Sequence, residues 1–164
     1  MSTANRVVAV APTAARTRAL GRRMARLLRP GDVLLLQGQL GAGKTTFAQG
    51  IGAGLHVDGP VRSPTFVLLA RYDAPLPLYH ADLYRLDAPA DVEELALAEQ
   101  AQDGVLLIEW PERGFDALPA QHLLVVIEPR PDAPTERRLT LVASGDRYVS
   151  LLDGLVAAGL VERV

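Results

Sequence analysis

The segment VLLLQGQLGAGKTTFAQGIGAGL, residues 33–55, decides the fold. It opens with the apolar run Val33–Gln37, which is typical of a buried strand in a parallel sheet. A glycine-rich loop follows, and the segment from Lys44 to about Leu55 is expected to form a helix. In such a strand–loop–helix unit, the backbone N–H groups of the loop and the positive end of the helix converge on one point and favour an anion. The sequence therefore predicts a phosphate-binding loop in an α/β protein.

The loop matches the phosphate-binding pattern G-x-x-x-x-G-K-[ST] at every fixed position, with Gly38, Gly43, Lys44 and Thr45. Glycines allow the backbone to turn its N–H groups toward phosphates without side-chain clashes. In this pattern, Lys44 is expected to reach the β- and γ-phosphates of a nucleotide, and the Thr45 hydroxyl is expected to bind Mg²⁺.

The use of basic residues supports the same interpretation. The chain has 16 arginines and a single lysine, and that lysine is Lys44. An ammonium group is a compact point charge that fits between phosphate oxygens, where a planar guanidinium would be too broad. We therefore attribute the lysine at this position to phosphate chemistry.

The composition excludes several classes of protein. The 164 residues are 49% hydrophobic and 22% charged, with a formal net charge of −2, so there is no global signal for nucleic-acid binding. The absence of cysteine excludes disulfides, thiolate metal sites and a cysteine nucleophile. No apolar run approaches the roughly 20 residues of a membrane span, and the N-terminus is too weakly apolar for a signal peptide. We expect one domain over residues 1–164, in the cytoplasm and without a membrane partner.

The remaining pattern predicts a P-loop NTPase-like three-layer fold with a mixed, partly antiparallel central sheet. We expect strands at 6–11, 33–37, 66–73, 76–84, 104–110, 122–129 and 137–144, and helices at about 13–28, 44–55, 88–100 and 146–160. Asp91 is expected to be the N-cap of the third helix, with Glu94 as its capping-box partner. The last two strands are expected to form an antiparallel hairpin near the sheet edge.

Phosphoryl transfer also needs an acid that holds the metal or orients the attacking water. Glu109 ends the buried run VLLI, so its carboxylate is expected at the carboxyl edge of the sheet, beside the loop. The usual second motif of these proteins ends in Asp; the longer Glu can reach the metal shell or act on the water. Asp82 is a second candidate acid. Thr65 lies in a loop where nucleotide switches place a threonine that senses the γ-phosphate.

The base and the class of NTPase are argued by elimination. GTPases normally read guanine with an Asn-Lys-x-Asp element, but the only Asn is Asn5 and the only Lys is Lys44, so adenine is favoured. A small-molecule kinase would need an Arg-rich lid, and no Arg-rich insertion follows Glu109. A nucleotide-gated binding protein with negligible hydrolysis stays open as an alternative.

Four stretches, taken in order, resemble the TsaE family, which has also been called YjeE. They are GQLGAGKTTF (38–47), SPTF (63–66), HADLYRL (80–86) and LIEWPERG (107–114). The resemblance extends from the first predicted helix to about Gly114. It implies a small α/β ATPase that binds ATP and Mg²⁺ and hydrolyses ATP slowly by itself.

The resemblance also implies partners. TsaE proteins dock on the TsaB–TsaD pair, whose TsaD subunit transfers a threonylcarbamoyl group onto the adenosine beside the tRNA anticodon, and ATP turnover resets that complex between rounds. Contact with tRNA is then indirect, and direct contact is left open. By this resemblance the catalytic residues are Glu109, Lys44 and Thr65, the metal ligands are Thr45, Asp82 and Glu109, and the ATP-binding residues are Gly38, Gly41, Ala42, Gly43, Lys44, Thr45, Thr46 and Trp110.

The arginines of the first predicted helix and the strand histidines are interpreted separately. Arg18, Arg22, Arg26 and Arg29 form a basic stripe on the first helix, which is either a solvated face or a surface for tRNA or an acidic partner. His80 and His122 are interpreted as strand residues and not as metal ligands, because no second histidine lies at metal-ligand spacing.

Overall fold

The computed structural model describes residues 5–64 and 68–164. Its strands are β1 (Arg6–Ala11), β2 (Val33–Gln37), β3 (Leu69–Tyr72), β4 (Leu78–Asp82), β5 (Val105–Glu109), β6 (His122–Arg130), β7 (Ala133–Ser144) and β8 (Glu162–Arg163). Its helices are α1 (Ala14–Met24), α2 (Lys44–Gly54), α3 (Pro89–Glu94), α4 (Leu97–Gln100) and α5 (Asp146–Ala157). None of the helices in the described parts of the chain has both the length and the apolar character that a membrane crossing requires.

The eight strands form one mixed sheet in the order β3-β4-β5-β2-β6-β7-β1-β8. The four adjacent strands β4, β5, β2 and β6 are parallel, and the pairs outside this group are antiparallel. Because the carboxyl ends of parallel strands meet at one edge, Asp82, Glu109 and the glycine loop after Gln37 are brought to the same side of the sheet.

Alternate residues of β2 enter different cores. Leu34 and Leu36 pack in a large core that also holds residues of α1, α2 and α5. Val33 and Leu35 pack in a smaller core with residues of α3 and α4. Side chains of a strand point alternately to opposite faces, so this partition places helices on both sides of the sheet. The predicted three-layer α/β fold with a mixed sheet is confirmed.

Helix α1 lies against α2 at a very close crossing. A Cβ atom on Gly50 would lie 2.1 Å from the Arg18 carbonyl oxygen, and one on Gly54 would lie 2.4 Å from the Arg22 carbonyl oxygen. Only glycine at these positions lets the two backbones approach so closely. In the predicted basic stripe, Arg18 and Arg22 lie on α1 whereas Arg26 and Arg29 follow its end, and all four arginines are exposed.

Two helix predictions are corrected. Asp91 is not an N-cap: Ala88 holds that position without a side-chain hydrogen bond, and Pro89 begins α3. Proline is favoured at the first helical position because its φ is already helical. The helix therefore starts upstream of the expected capping box, and Asp91 lies in its first turn. The single helix expected over 88–100 is interrupted, because Ala96 adopts a left-handed backbone (φ 47°, ψ 47°).

The position of the hairpin is also corrected. β6 and β7 do pair antiparallel, but they lie inside the sheet, since β6 pairs with β2 and β7 pairs with β1. The outer edge on this side is the short β8, for which the sequence offered no signal. Strand β3 was expected from residue 66; residues 65–67 lie outside the described residues.

Candidate nucleotide-binding site

The glycine loop joins β2 to α2 with a backbone that other residues would strain. Gly41 has a φ of +78° and Gly43 a φ of +111°, both in the left-handed region. A Cβ atom on Gly38 would lie 2.7 Å from the Ile127 carbonyl oxygen, so the loop passes directly over β6. Helix α2 begins at Lys44, and its N-terminus points its free N–H groups into the space above the loop.

A cavity of about 300 Å³ opens in front of the loop. It is lined by Leu40, Gly41, Gly43, Lys44, Thr45, Thr46, Ser63, Asp82, Glu109 and Trp110. The cavity thus brings together the loop, two carboxylates from β4 and β5, and the aromatic residue that follows β5.

Lys44 is largely buried at this cavity, with 6% of the residue exposed. Its Nζ donates to the Gly38 carbonyl oxygen at 2.5 Å and to the Gln39 carbonyl oxygen at 3.0 Å, and it lies 4.2 Å from the centre of the Trp110 ring. Burial lowers the pKa of Lys44 below its ordinary value, and the nearby carboxylates, Glu109 foremost, oppose that shift. The ammonium is held by weak partners in a place where phosphate oxygens would be stronger ones.

The two acids are neighbours across the sheet, because Asp82 of β4 is in register with Glu109 of β5. Glu109 is buried, and its Oε1 accepts a long hydrogen bond of 3.5 Å from the Thr45 hydroxyl. Asp82 is half-buried; its carboxylate accepts from the Ser63 hydroxyl at 2.5 Å and from the Tyr84 N–H at 2.9 Å. A hydroxyl and two carboxylates therefore face one point beside the loop.

This donor set fits Mg²⁺ bound together with a nucleotide. Among the described residues, no three His, Asp or Glu side chains cluster so that they could hold a metal without help. Mg²⁺ beside a phosphate needs fewer protein ligands, since it binds one or two carboxylates, phosphate oxygens and water. The oxygen atoms of Thr45, Asp82 and Glu109 are of the hard type that this ion prefers.

Sequence reasoning missed His80. The residue is fully buried, and its Nε2 lies 2.7 Å from Glu109 Oε2. Its Nδ1 has no hydrogen-bond partner among the described residues. The sequence marked His80 only as a strand residue, although it begins the stretch HADLYRL and stands two residues before Asp82 on the same strand face.

Trp110 has a strained backbone at the mouth of the cavity. Its φ of 59° is in the left-handed region, which bulky residues rarely adopt. Its ring lies 4.8 Å from the Tyr84 ring, and the Arg113 guanidinium lies 5.4 Å from the centre of that Tyr84 ring. The Trp110 ring therefore has both Lys44 and Tyr84 as close neighbours.

Arg137 of β7 holds the far side of the loop, and sequence reasoning missed it too. Its Nε donates to the Ala42 carbonyl oxygen at 2.7 Å, and its Nη2 lies 3.5 Å from the Gly41 carbonyl oxygen. When the N–H groups of such a loop face an anion, its carbonyl groups face away and need donors of their own. No local pattern marks this residue, because it follows the loop by almost a hundred positions.

A second cavity of about 330 Å³ lies on the side of the loop that faces α1. It is lined by Thr13, Ala14, Thr17, Gly41, Gly43, Thr46, Pro134, Thr135 and Arg137. The hydroxyl of Thr17 is buried and has no partner within the described residues. The cavity shares the loop with the first one and offers several hydroxyl groups to a ligand.

The structure brings most of the predicted site residues together. Gly41, Gly43, Lys44, Thr45, Thr46, Asp82, Glu109 and Trp110 line the first cavity, and Gly38 forms the start of the loop behind it. Ala42 is different: it is buried, its N–H donates to the Gln39 carbonyl oxygen, and its own carbonyl oxygen accepts from Arg137. Thr65 lies outside the described residues.

Comparison with known proteins gives matches over most of the chain. The family model described as "Threonylcarbamoyl adenosine biosynthesis protein TsaE" matches residues 11–139. The chain is similar to the proteins named tRNA threonylcarbamoyladenosine biosynthesis protein TsaE from Bacillus subtilis (43% identical, covering 85% of this chain and 87% of the relative) and from Streptomyces coelicolor (42%, covering 87% and 99%). The crystal structure of Bacillus subtilis YdiB superposes with a TM-score of 0.79 at 35% identity, covering 94% of this chain and 96% of that one.

Proposed function

This chain belongs to the TsaE family, and from that premise we propose that it is a single-domain, Mg²⁺-dependent ATPase that serves the threonylcarbamoylation of tRNA. The P-loop fold that it shares with its structural neighbour implies nucleotide binding. The observation that carries the proposal further is the meeting of Lys44, Thr45 and Glu109 at one cavity above the glycine loop.

The phosphates of ATP would lie over the loop, at the N-terminus of α2. Gly41 and Gly43 leave the backbone open for close approach, and the helix dipole favours the negative charge. Lys44 would exchange the carbonyl oxygens of Gly38 and Gln39 for the β- and γ-phosphate oxygens, which are charged and therefore stronger acceptors. Thr46 stands beside these groups in the same cavity.

Hydrolysis would depend on the carboxylates. Mg²⁺ would be held by the Thr45 hydroxyl, Asp82 and Glu109, and when bound it would neutralise charge on the phosphates. Glu109 ends a buried strand, and we propose that its carboxylate orients the attacking water and accepts its proton. Thr65 is proposed to act as the residue that senses the γ-phosphate.

The nucleoside would occupy the second cavity. It adjoins Gly41, Gly43 and Thr46, so a nucleotide whose phosphates lie on the loop could extend into it. The Thr17 hydroxyl, which has no partner among the described residues, could exchange a hydrogen bond with a polar edge of the base or the ribose. We propose adenine as the base because the chain lacks the element with which GTPases read guanine.

The biological role follows from the family. Relatives are named for the biosynthesis of tRNA threonylcarbamoyladenosine, and we propose the same role here. The proposed partner is the TsaB–TsaD pair, reset by ATP turnover between rounds, so that the adenosine next to the anticodon is modified in tRNAs that read codons beginning with A. We place this activity in the cytoplasm, with tRNA bound by the complex and only indirectly by this chain.

One observation favours a second candidate, a nucleotide-gated binding protein with negligible hydrolysis. Both oxygens of Glu109 already have partners, His80 on one and Thr45 on the other. If these contacts persisted with ATP bound, Glu109 would hold the site together without acting on water. The two candidates differ in the effect of Glu109→Gln on turnover.

Nucleotide binding is tested first by fluorescence. Trp110 is the only tryptophan, and its ring lies 4.2 Å from Lys44 Nζ, so its emission should respond when phosphates draw Lys44 away. Titration with ATP, with and without Mg²⁺, gives the dissociation constants, and GTP is the matched competitor. Binding that favours GTP would contradict the proposed base.

Turnover is then measured as phosphate release, by the protein alone and with the TsaB–TsaD pair. We expect slow hydrolysis that the pair stimulates and that Glu109→Gln reduces by about 100-fold or more while ATP still binds, as for the loss of a residue that acts on the reacting group. Unchanged turnover in Glu109→Gln, with ATP still controlling complex assembly, would favour the binding protein. Bound ATP without stimulation by the pair would mean that the partner is wrong.

A further inference from the structure

We propose that His80 is a positioning residue for Glu109: it donates its Nε2–H to Oε2 of the carboxylate and so aims Oε1 at Thr45 and the phosphate site. The inference rests on the proposed ATPase function, because Glu109 is given its role there. His80 is expected to touch neither nucleotide nor water, so its effect on hydrolysis would pass entirely through Glu109.

The contact has the geometry of a directed hydrogen bond. Nε2 and Oε2 are 2.7 Å apart, and both side chains are almost completely removed from solvent, with 0% and 3% exposed. A carboxylate oxygen only accepts, so Nε2 must carry the proton. Because both side chains are shielded from bulk solvent, such a bond restricts the rotation of the Glu109 side chain.

The other carboxylate oxygen is the one that remains for chemistry. Oε1 lies 3.5 Å from the Thr45 hydroxyl, which is a weak and long contact, and it faces the cavity in front of the loop. His80 therefore divides the carboxylate into one anchored and one available oxygen. Without the anchor, both oxygens would be free to turn toward Lys44 or Thr45.

The second nitrogen of His80 indicates that the residue is not there for folding. Nδ1 is buried without a partner among the described residues, which lowers stability relative to an apolar side chain at this position. Leu78 and Ala81 on the same strand are fully buried apolar residues, so an apolar side chain would suit the packing at position 80 as well as an imidazole. Buried polar atoms without hydrogen bonds, which lower stability, are expected mainly at functional sites.

The strand register explains why the histidine stands at this position. Asp82 is in register with Glu109, and His80 precedes it by two residues on the same face of β4. The diagonal contact from His80 to Glu109 therefore lies on the side of the carboxylate that is away from the mouth of the cavity. One strand thus supplies both the second acid and the anchor for the first.

The test compares His80→Leu, which removes the donor, with His80→Gln, whose Nε2 amide can still donate to Glu109. We expect kcat for ATP to fall by about 10- to 100-fold in His80→Leu, the usual effect of removing a partner that orients a ligand or catalytic group. The dissociation constant for ATP, measured by Trp110 fluorescence, should be nearly unchanged. His80→Gln should recover most of the lost turnover.

His122→Leu is the matched control. His122 is also a strand histidine with one ring nitrogen bonded, in this case Nδ1 at 2.8 Å from the Pro119 carbonyl oxygen, but it begins β6 at the opposite end from the loop. Its substitution should leave kcat unchanged. If His122→Leu lowered kcat as much as His80→Leu does, the effect would be general damage to the fold, and the inference would be overturned.

A readout without nucleotide separates this inference from the proposed function. The protein has three histidines, so ¹⁵N-resolved NMR of their rings can be assigned with His80→Gln. We expect the Nε2–H tautomer with a slowly exchanging proton, and we expect that protection to be lost in Glu109→Ala. An Nδ1–H tautomer would overturn the inference, and so would wild-type kcat in a folded His80→Leu protein. Absence of ATP hydrolysis in the wild type would instead overturn the proposed function, while the tautomer would still support the anchoring contact.

Discussion

The two ends of strand β2 both carry buried charges, but the charges are arranged differently. At its carboxyl end, Lys44 and Glu109 surround an open cavity. At its amino end, Asp32 is bonded to Arg147 through two hydrogen bonds, at 2.9 and 2.7 Å. The charges at the amino end are paired within the protein, whereas those at the carboxyl end face a cavity that is open to a ligand.

The amino end has a partner for each of its main polar groups. Arg147 also donates to the Leu27 carbonyl oxygen at 2.8 Å, and Asp32 accepts from the Arg29 N–H at 2.8 Å. The Tyr148 hydroxyl accepts the N–H of Val33 at 2.8 Å. The hydrogen bond with Asp32 raises the pKa of Arg147 above its ordinary value, as expected for a fully paired cation.

At the carboxyl end of β2, the polar groups have weaker hydrogen-bond partners. Lys44 is held by backbone carbonyl oxygens and an aromatic ring, with burial lowering its pKa, and the Thr17 hydroxyl of the adjoining cavity has no partner in the described chain. Buried polar groups are normally satisfied, so unsatisfied ones beside an open cavity indicate where a ligand belongs. The three predictions below test this difference, from the largest expected effect to the smallest.

Lys44→Met should impair ATP turnover at the carboxyl end of β2 without destabilising the fold. We expect ATP turnover to fall by about 100- to 1,000-fold, as when a donor to developing charge is removed. The free energy of unfolding should change by less than about 1 kcal/mol, since the lost hydrogen bonds are offset by the burial of a neutral side chain in place of a charge. Phosphate release and urea denaturation measure the two effects. A large loss of stability with normal turnover would contradict this prediction, because it would mean that Lys44 stabilises the fold and does not act on the nucleotide.

Asp32→Asn should have the opposite pattern. It leaves Arg147 without its counter-ion, and we expect the free energy of unfolding to fall by about 2–3 kcal/mol. The value lies below that of a fully buried pair because 23% of the Arg147 side chain is exposed. The dissociation constant for ATP should not change in the folded protein. Weaker ATP binding at a temperature where the variant is fully folded would contradict the separation of the two ends.

Two hydroxyl groups give the smallest and sharpest contrast. Thr17→Val removes a hydroxyl that has no partner in residues 5–64 and 68–164, so stability should be unchanged or slightly higher. ATP binding should weaken by about 3- to 10-fold, because the nucleoside is proposed to use that hydroxyl. Tyr148→Phe is the matched control, because it removes the acceptor of the Val33 N–H and should lower stability by about 1–2 kcal/mol without affecting ATP. Fluorescence titration and denaturation of both variants decide the matter, and wild-type ATP affinity in Thr17→Val would exclude this hydroxyl from nucleoside binding.

The fold could be predicted wherever local pattern and packing agree. The apolar run Val33–Gln37 and the helix from Lys44 were expected with nearly the observed bounds, because strand, loop and helix are contiguous and each has its own periodicity. The sequence predicts the hairpin near the sheet edge, but β1 pairs with β7 and β8 pairs with β1, and these pairings join segments far apart in the chain that leave no local signal. The Asp91 cap failed because Pro89 set an earlier helix start.

What the sequence indicated by itself is a phosphate-binding loop and two candidate acids near it. Gly38–Thr46 carries its own geometry, since glycine conformations and a helix N-terminus are local properties. Glu109 could be named as an acid at the end of an apolar strand, and Asp82 as a second candidate acid within the strand predicted over 76–84. Only the tertiary structure decided what surrounds them: His80 contacts Glu109 through the register of two parallel strands, and Thr17 of a helix and Arg137 of a distant strand line the same cavity. Such contacts depend on distances between residues far apart in the chain, which no local pattern of side chains encodes.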